Sequence, residues 1–245
     1  STPREASAPP PTEGPMLHPV DSYAGHTGTI FAIAYDEKDN LLISSGKDGL
    51  LQVWSNAQVI SRTQIPQHYV CAMDVDFTSR SLYTCGVAKD SKLPPAYGPL
   101  YYPLTAETVG GPAWQNPARI LKGVETKHVS CIKARPGRGF VTGETVQHIT
   151  GQQERLCVYD VNNGGDFANL QPTQWYAEHT GILTYLSPLP GTPDLFLSGA
   201  RDLTVRLWDF RVRDRSVGML GTPGASGLPE AHTQLITCLD AYNSN

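Results

Sequence analysis

The sequence predicts an all-β protein, and three observations support that prediction. Short runs of alternating or β-branched residues recur between clusters of Gly, Asn, Asp and Pro, as strands do between turns. No stretch keeps a 3.6-residue apolar period for three turns, so long amphipathic helices are not expected. The 23 glycines and 20 prolines in 245 residues indicate many turns between short elements.

The composition also limits the classes of partner and cofactor. A formal charge of −4 argues against nucleic acid as a partner, and the chain has no apolar run of transmembrane length. Neither a CxxC pair nor a Cys/His set at zinc-ligand spacing is present, so we expect no metal or other cofactor. Five scattered cysteines are typical of a reducing compartment, which predicts an intracellular location, cytoplasmic or nuclear.

The first 16 residues differ from the rest of the chain. Residues 1–15 contain five prolines and almost no large apolar side chains, too few to offset the entropy lost on ordering. We therefore predict a disordered tail or linker over residues 1–16 and a β-domain over residues 17–245.

Two segments of the β-domain repeat one pattern. Each has a histidine before the first strand, then a serine, an aspartate four residues after the serine, and a tryptophan six residues after the aspartate. These residues are His26, Ser44, Asp48 and Trp54 in the first segment and His179, Ser198, Asp202 and Trp208 in the second. Self-similarity at a fixed period predicts repeated supersecondary units.

Three weaker units lie between and after these two. One begins at His68 and carries a Pro-rich insertion, and the next begins at His128 with Tyr159 in the place of the tryptophan. The last begins at His232 and contains a single predicted strand, residues 235–241. The units therefore start near residues 26, 68, 128, 179 and 232.

The two strong units resemble the WD repeat, whose signature is a Gly-His start and a Trp-Asp end around the four strands of one propeller blade. The resemblance covers about residues 17 to 241 and implies a WD-repeat β-propeller with about four blades plus flanking strands. The family commonly forms a ring of seven blades. We therefore expect the remaining blades to come from the rest of a longer chain or from another subunit.

In the WD-repeat pattern, the histidine, serine, aspartate and tryptophan form a buried hydrogen-bond chain, so the resemblance assigns both sets a structural role. The same residue types occur in hydrolase triads. However, the set occurs twice at one spacing, and neither Ser44 nor Ser198 lies in a GxSxG turn. The sequence therefore predicts a protein that is not an enzyme.

Three smaller groups of side chains are candidate sites. Glu144, His148 and Glu154 are expected in an exposed loop of the third unit, and Cys71 and Cys131 in the core. The Pro-rich insertion of the second unit contains four aromatic residues, which form either a recognition surface or a loop packed on its own propeller. They are Tyr97, Tyr101, Tyr102 and Trp114.

The sixteen residues that end at Arg211 add a second functional alternative. They resemble the box ending in Trp-Asp-x-Arg of substrate receptors of cullin-4 ubiquitin ligases, which implies that Arg211, with Asp209, contacts the ligase adaptor. The wider family resemblance implies a non-catalytic scaffold that binds several proteins in a larger assembly. A propeller enzyme with a site in the central funnel is a further alternative, but the sequence displays no convergent charged set for it.

Overall fold

The computed structural model describes residues 22–65, 68–88, 96–105, 107–115, 117–119, 126–161, 167–220 and 236–241. In these residues, strands form four antiparallel sheets of four strands each, and each sheet is a meander in which consecutive strands pair. Helical structure in the described part of the chain comprises one turn at Pro112–Gln115 and a 3-10 turn at Phe167–Asn169. The all-β prediction is confirmed. The predicted tail, residues 1–16, lies outside the described residues.

The four sheets follow one another along the chain. The first contains β1 (Ile30–Asp36), β2 (Leu41–Gly46), β3 (Leu50–Ser55) and β4 (Gln58–Gln64). The second contains β5 (His68–Asp76), β6 (Ser81–Ala88), β7 (Ala96–Pro103) and β8 (Ala118–Arg119). The third contains β9 (Thr126–Arg135), β10 (Gly139–His148), β11 (Gly151–Asp160) and β12 (Gln174–Tyr176). The fourth contains β13 (Leu183–Pro188), β14 (Leu195–Ala200), β15 (Val205–Asp209) and β16 (Gly218–Leu220).

Local sequence explains the tight turns between these strands. Asn40 has a φ of 51° between β1 and β2, and Gly49 has a φ of 78° between β2 and β3. Asparagine and glycine adopt this left-handed conformation at the lowest steric cost. No helix in the described ranges is long and apolar enough to cross a membrane.

The first strands of the four sheets lie side by side around a central cavity. Strand β5 lies between β1 and β9, and β9 lies between β5 and β13. Together the four strands line a cavity of about 310 Å³. Blades arranged around a common axis are the architecture of a β-propeller.

Apolar clusters fill the spaces between consecutive sheets. One cluster joins the first and second sheets, a second joins the second and third, and a third joins the third and fourth. Their central residues include Ile43, Leu82, Phe140, Val158 and Trp208. Because each cluster draws on both neighbouring sheets, each blade stabilises the next by burying its face.

Polar links at one end of the sheets reinforce this packing. Each link joins the turn after the first strand of one sheet to the corresponding turn of the next sheet. The three links are Arg80 Nη1 to Asp36 Oδ2 (2.6 Å), Gly137 N to Asp76 Oδ2 (2.9 Å) and Arg138 Nη1 to Asp194 Oδ1 (2.9 Å).

The segment after the fourth sheet differs from its prediction. A strand was expected over residues 235–241, but the described part, residues 236–241, is not a strand. Its start packs on the fourth sheet, where Thr184 Oγ1 donates a hydrogen bond to the Ile236 carbonyl oxygen at 2.5 Å. A strand needs a hydrogen-bonded ladder, and within the described ranges no strand pairs with this segment.

The face of β1 that points away from the second sheet is exposed, whereas the equivalent face of β5 is covered by the first sheet. Ile33 pairs with Ser44, as Met73 pairs with Thr84 in the second sheet. Yet the exposed fraction is 67% for Ile33 and 8% for Met73. Tyr35, the next residue on this face of β1, is also exposed, at 49%. A sheet face of this composition is normally buried against another element.

Matched truncations of Ile33 and Met73 test this difference in burial. In the 245-residue chain, Met73→Ala should lower the free energy of unfolding by about 2 to 5 kcal/mol, because it leaves a cavity in the core. Ile33→Ala should lower it by less than about 1 kcal/mol, because the side chain is already largely hydrated. Urea unfolding of the two variants measures both values. Equal losses would contradict the exposure of β1.

Candidate functional site

The four repeated polar residues of the first sheet are in direct contact. Trp54 Nε1 donates a hydrogen bond to Ser44 Oγ at 2.7 Å, and Ser44 Oγ lies 2.8 Å from His26 Nε2. His26 Nδ1 lies 2.9 Å from Asp48 Oδ2. An ionised carboxylate only accepts hydrogen bonds, so Nδ1 donates to Asp48 and, in the neutral imidazole, Nε2 accepts from the Ser44 hydroxyl.

The fourth sheet contains the same arrangement. Trp208 Nε1 donates to Ser198 Oγ at 2.7 Å, Ser198 Oγ lies 2.7 Å from His179 Nε2, and His179 Nδ1 lies 2.8 Å from Asp202 Oδ2. The aspartate also accepts a hydrogen bond from the backbone N–H of Thr180 at 2.9 Å. The network therefore joins four parts of the sheet: the segment before β13, strand β14, the turn between β14 and β15, and strand β15.

The hydrogen bonds change the acidity of both aspartates. Burial alone would raise the pKa of Asp202, but hydrogen bonds from His179, Thr204 and the Thr180 N–H outweigh it and hold that pKa well below the usual range. Burial likewise opposes ionisation of Asp48. Hydrogen bonds from the Leu50 N–H and from His26 nevertheless lower the pKa of Asp48 below its usual value.

The geometry of these hydrogen-bond networks favours a structural role over a catalytic one. A catalytic serine must present its oxygen to a substrate, and its histidine must be free to move the proton. Ser198 is fully buried, and its oxygen already accepts a hydrogen bond from Trp208. The network stabilises the sheet because an unpaired buried donor costs about 1 to 3 kcal/mol.

The third sheet contains a different network at the corresponding place. Tyr159, in the position of the tryptophan, donates a hydrogen bond to Glu144 Oε1 at 2.8 Å. Thr142, in the position of the serine, donates to the same oxygen at 2.6 Å. A buried carboxylate on the middle of a strand thus accepts both hydroxyl groups.

The expectation of an exposed loop for Glu144, His148 and Glu154 was wrong. Glu144 and His148 lie on β10 and Glu154 lies on β11. Both glutamates are buried, and only His148 is exposed. The error arose because β10 and β11 are longer than the corresponding strands of the other sheets. The β-branched residues Thr142, Thr145 and Val146 are the sequence signal that favours the longer strand.

The aromatic residues of the insertion divide between two environments. Tyr102 and Trp114 are fully buried against each other, with ring centroids 5.2 Å apart, and Trp114 Nε1 donates to the Pro103 carbonyl oxygen at 2.9 Å. The prediction that Tyr102 and Trp114 contact a partner is wrong, because both rings form part of the core between the first and second sheets. Tyr101 is half-buried and stacks on Phe167 at 4.5 Å. The side chain of Tyr97 lies outside the described residues.

Arg211 lies at the surface beside Asp209. Its Nε donates to Asp209 Oδ1 at 2.8 Å and its Nη2 donates to Asp209 Oδ2 at 2.7 Å. This bidentate pair lowers the pKa of Asp209 to about 2 through hydrogen bonds from the Arg211 side chain and backbone. The Arg211 side chain is 70% exposed, so its orientation is set by Asp209 while its outer edge faces solvent.

A projecting hairpin is present that no sequence pattern had indicated. Strands β10 and β11 pair continuously from Gly139 and Asp160 to His148 and Gly151. In the described part of the chain the flanking strand β9 pairs with β10 as far as Val146, so residues 147–152 extend past the described residues of β9. The tip carries Ile149, which is 99% exposed. Within the described residues, no group of three His, Cys, Asp or Glu side chains is arranged to hold a metal ion.

Comparison with known families agrees with this geometry. The model for the WD domain, G-beta repeat, matches residues 17–55 and 170–209, and these two ranges contain every residue of the two four-residue networks. The chain contains WD repeats. The prediction of a WD-repeat β-propeller is therefore confirmed, with four blades in the described residues.

Curated relatives of the WD-repeat chain are guanine nucleotide-binding protein beta subunits of plants. The protein from Solanum tuberosum is 26% identical over 195 residues, covering 78% of this chain and 47% of its own length. Those from Arabidopsis thaliana and Oryza sativa subsp. japonica are 26% and 27% identical, covering 79% of this chain and 48% and 47% of their own lengths. The WD-repeat chain thus spans about half the length of these relatives.

Replacing a network tryptophan tests the structural role predicted for the WD-repeat residues. Trp208→Phe removes the indole N–H that Ser198 accepts, so we expect the free energy of unfolding to fall by about 1 to 3 kcal/mol. The control is Trp175→Phe, since Trp175 is half-exposed on β12. Thermal and urea unfolding measure the two losses. Unchanged stability of Trp208→Phe would show that this hydrogen-bond chain is not structural.

Proposed function

We propose that this chain is a non-catalytic scaffold that binds several proteins in a larger assembly. WD repeats and the similarity to G-protein beta subunits support a protein-interaction role. The relatives are named as subunits, that is, as parts of proteins with more than one chain. A fold alone does not specify function, so the proposal depends on the surface that the blades present.

The projecting β10–β11 hairpin is the observation that carries the proposal. Its turn lies at the same end of the sheets as the turns that hold Asp48 and Asp202, but it extends further from the propeller. Ile149 at its tip contributes nothing to the core because the side chain is almost completely hydrated. Burial of such a side chain against a partner would be worth about 1.5 to 3 kcal/mol. The hairpin is therefore suited to insert an apolar side chain into a groove of another protein.

Substitution at the hairpin tip tests this surface. The full-length protein should be purified from its own cells, and the proteins that accompany it should be identified. Ile149→Asp should then reduce recovery of at least one partner about tenfold or more, because a charge replaces the apolar contact. Its matched control is Ile60→Asp, at another exposed isoleucine. Equal recovery of every partner by wild type and both variants would contradict binding through the hairpin.

The proposed partners are proteins and, in addition, further blades. Ile33 and Tyr35 present an exposed apolar face on β1. A further blade, from the rest of a longer chain or from another subunit, would cover that face as the other sheets cover one another.

We propose an intracellular location, cytoplasmic or nuclear. The five cysteines support it, because none of them forms a disulfide in the structure.

A substrate receptor of a cullin-4 ubiquitin ligase is the second candidate function. The observation that favours it is the pairing of Arg211 with Asp209, which fixes the guanidinium while leaving the side chain exposed. An interface arginine held in this way loses little conformational entropy when it binds.

The ligase candidate predicts a specific effect of Arg211. Arg211→Ala should reduce co-precipitation of the ligase adaptor by about thirtyfold, equivalent to about 2 kcal/mol, since alanine replaces none of the directed donors. Arg213→Ala is the control, because Arg213 is also exposed and carries the same charge. Equal adaptor recovery with both variants, or no adaptor with wild type, would exclude the ligase function and leave the plain scaffold.

A further inference from the structure

A β-bulge places two cysteines of the second sheet beside each other. Val70 pairs with Gly86 and Ala72 pairs with Cys85, so Cys71 is the extra residue between two consecutive partners. In a bulge, two residues of one strand oppose a single residue of the other. Cys71 and Ala72 therefore both oppose Cys85, which brings the two cysteine side chains to adjacent positions across the strand pair.

The contacts of Cys71 agree with this placement. Its thiol donates to the Cys85 carbonyl oxygen at 3.6 Å and lies 4.0 Å from the Val129 carbonyl oxygen of the third sheet. Cys71 is half-buried and lines the central cavity of about 310 Å³, a space large enough to hold hydrogen peroxide. Cys85 is buried behind it in the apolar cluster between the second and third sheets.

The two thiols also differ in acidity. Hydrogen bonding between their side chains lowers the pKa of Cys71 and raises that of Cys85, and burial raises the Cys85 pKa further. In the corresponding bulge of the third sheet the extra residue is Ser130, and the next residue, Cys131, lines the same cavity. Burial, however, raises the pKa of Cys131 to about 12. Of these three thiols, Cys71 is the one whose surroundings favour the reactive thiolate.

We propose that Cys71 is a site of oxidation by hydrogen peroxide and that Cys85 resolves the oxidised form as a disulfide. The Cys71 thiolate attacks one peroxide oxygen, the O–O bond breaks, hydroxide leaves and Cys71 becomes a sulfenic acid. Cys85 gives its proton to the hydroxide and attacks the Cys71 sulfur. The S–O bond then breaks, a second hydroxide leaves and the S–S bond forms.

The two steps balance in atoms and electrons. Counting the proton first released by Cys71, two thiols lose two electrons and two protons, and one hydrogen peroxide is reduced to two waters. The modification site is thus Cys71 in the wall of the central cavity with Cys85 buried behind it, distinct from the surface hairpin and from Arg211. The inference stands independently of the proposed scaffold function.

Peroxide treatment of the reduced full-length protein tests this assignment. Cys238→Ser should serve as the background, because Cys238 is exposed and would otherwise form disulfides between molecules. After brief exposure to hydrogen peroxide, free thiols are alkylated and the digested protein is analysed by mass spectrometry. We expect a Cys71–Cys85 cross-linked peptide. Oxidation of Cys71 should be at least about tenfold faster than that of Cys131, since the thiolate fraction falls about tenfold for each pH unit by which the pKa exceeds ambient pH.

Two variants separate the attacking thiol from the resolving thiol. With Cys85→Ser, the Cys71 sulfenic acid should persist and be trapped by dimedone. With Cys131→Ser, the Cys71–Cys85 cross-link should form as in the background protein. Unchanged thermal melting of the reduced variants verifies that they are folded. A Cys71 peptide that stays reduced while other thiols oxidise, or a Cys71 disulfide with Cys131 in place of Cys85, would overturn the proposal.

Discussion

Coverage of both faces of every sheet is the constraint on which the rest of this structure depends. Each four-stranded sheet carries apolar side chains on both faces, and only a neighbouring sheet is large enough to bury a whole face. Three apolar clusters meet this requirement between consecutive blades, and the polar links between their turns align the sheets. The same constraint explains why Ile33 stands out: it is apolar and belongs to a face that has no covering sheet in the described residues.

Within each blade, polar side chains are used to hold strands and turns in register. The first and fourth sheets use a tryptophan, a serine, a histidine and an aspartate, and the third uses Tyr159, Thr142 and Glu144. These sets share one requirement: a buried donor needs a buried acceptor. Because these buried groups bond to one another, they stabilise the blades and are not available to other molecules. Contacts with other molecules therefore depend on exposed features such as the β10–β11 hairpin and Arg211.

The surface and the central cavity present different chemical groups. At the surface, Ile149 and Arg211 are displayed by short, well-bonded turns, which suits recognition by other proteins. Around the central cavity, strands β5 and β9 contain bulges, and each bulge has a cysteine at or next to its extra residue. The extra residue is Cys71 in β5 and Ser130 in β9, and the thiols of Cys71 and of the next residue in β9, Cys131, both lie near carbonyl oxygens of the following sheet. Packing geometry thus placed thiols around a space that small molecules can enter.

Local patterns were sufficient to predict the all-β class, the blade repeat and both four-residue sets, because alternation, turn residues and fixed spacing are properties of neighbouring positions. They were insufficient where burial depends on distant parts of the chain. Trp114 belongs to the core only because its loop folds back between two blades, and Glu144 is buried because β10 lies between β9 and β11 there, where Thr142 and Tyr159 donate hydrogen bonds to it. The pairing of Cys71 with Cys85 likewise depends on strand register. Register and the packing of one sheet on the next are set by contacts between residues far apart in sequence, so only the tertiary structure decided them.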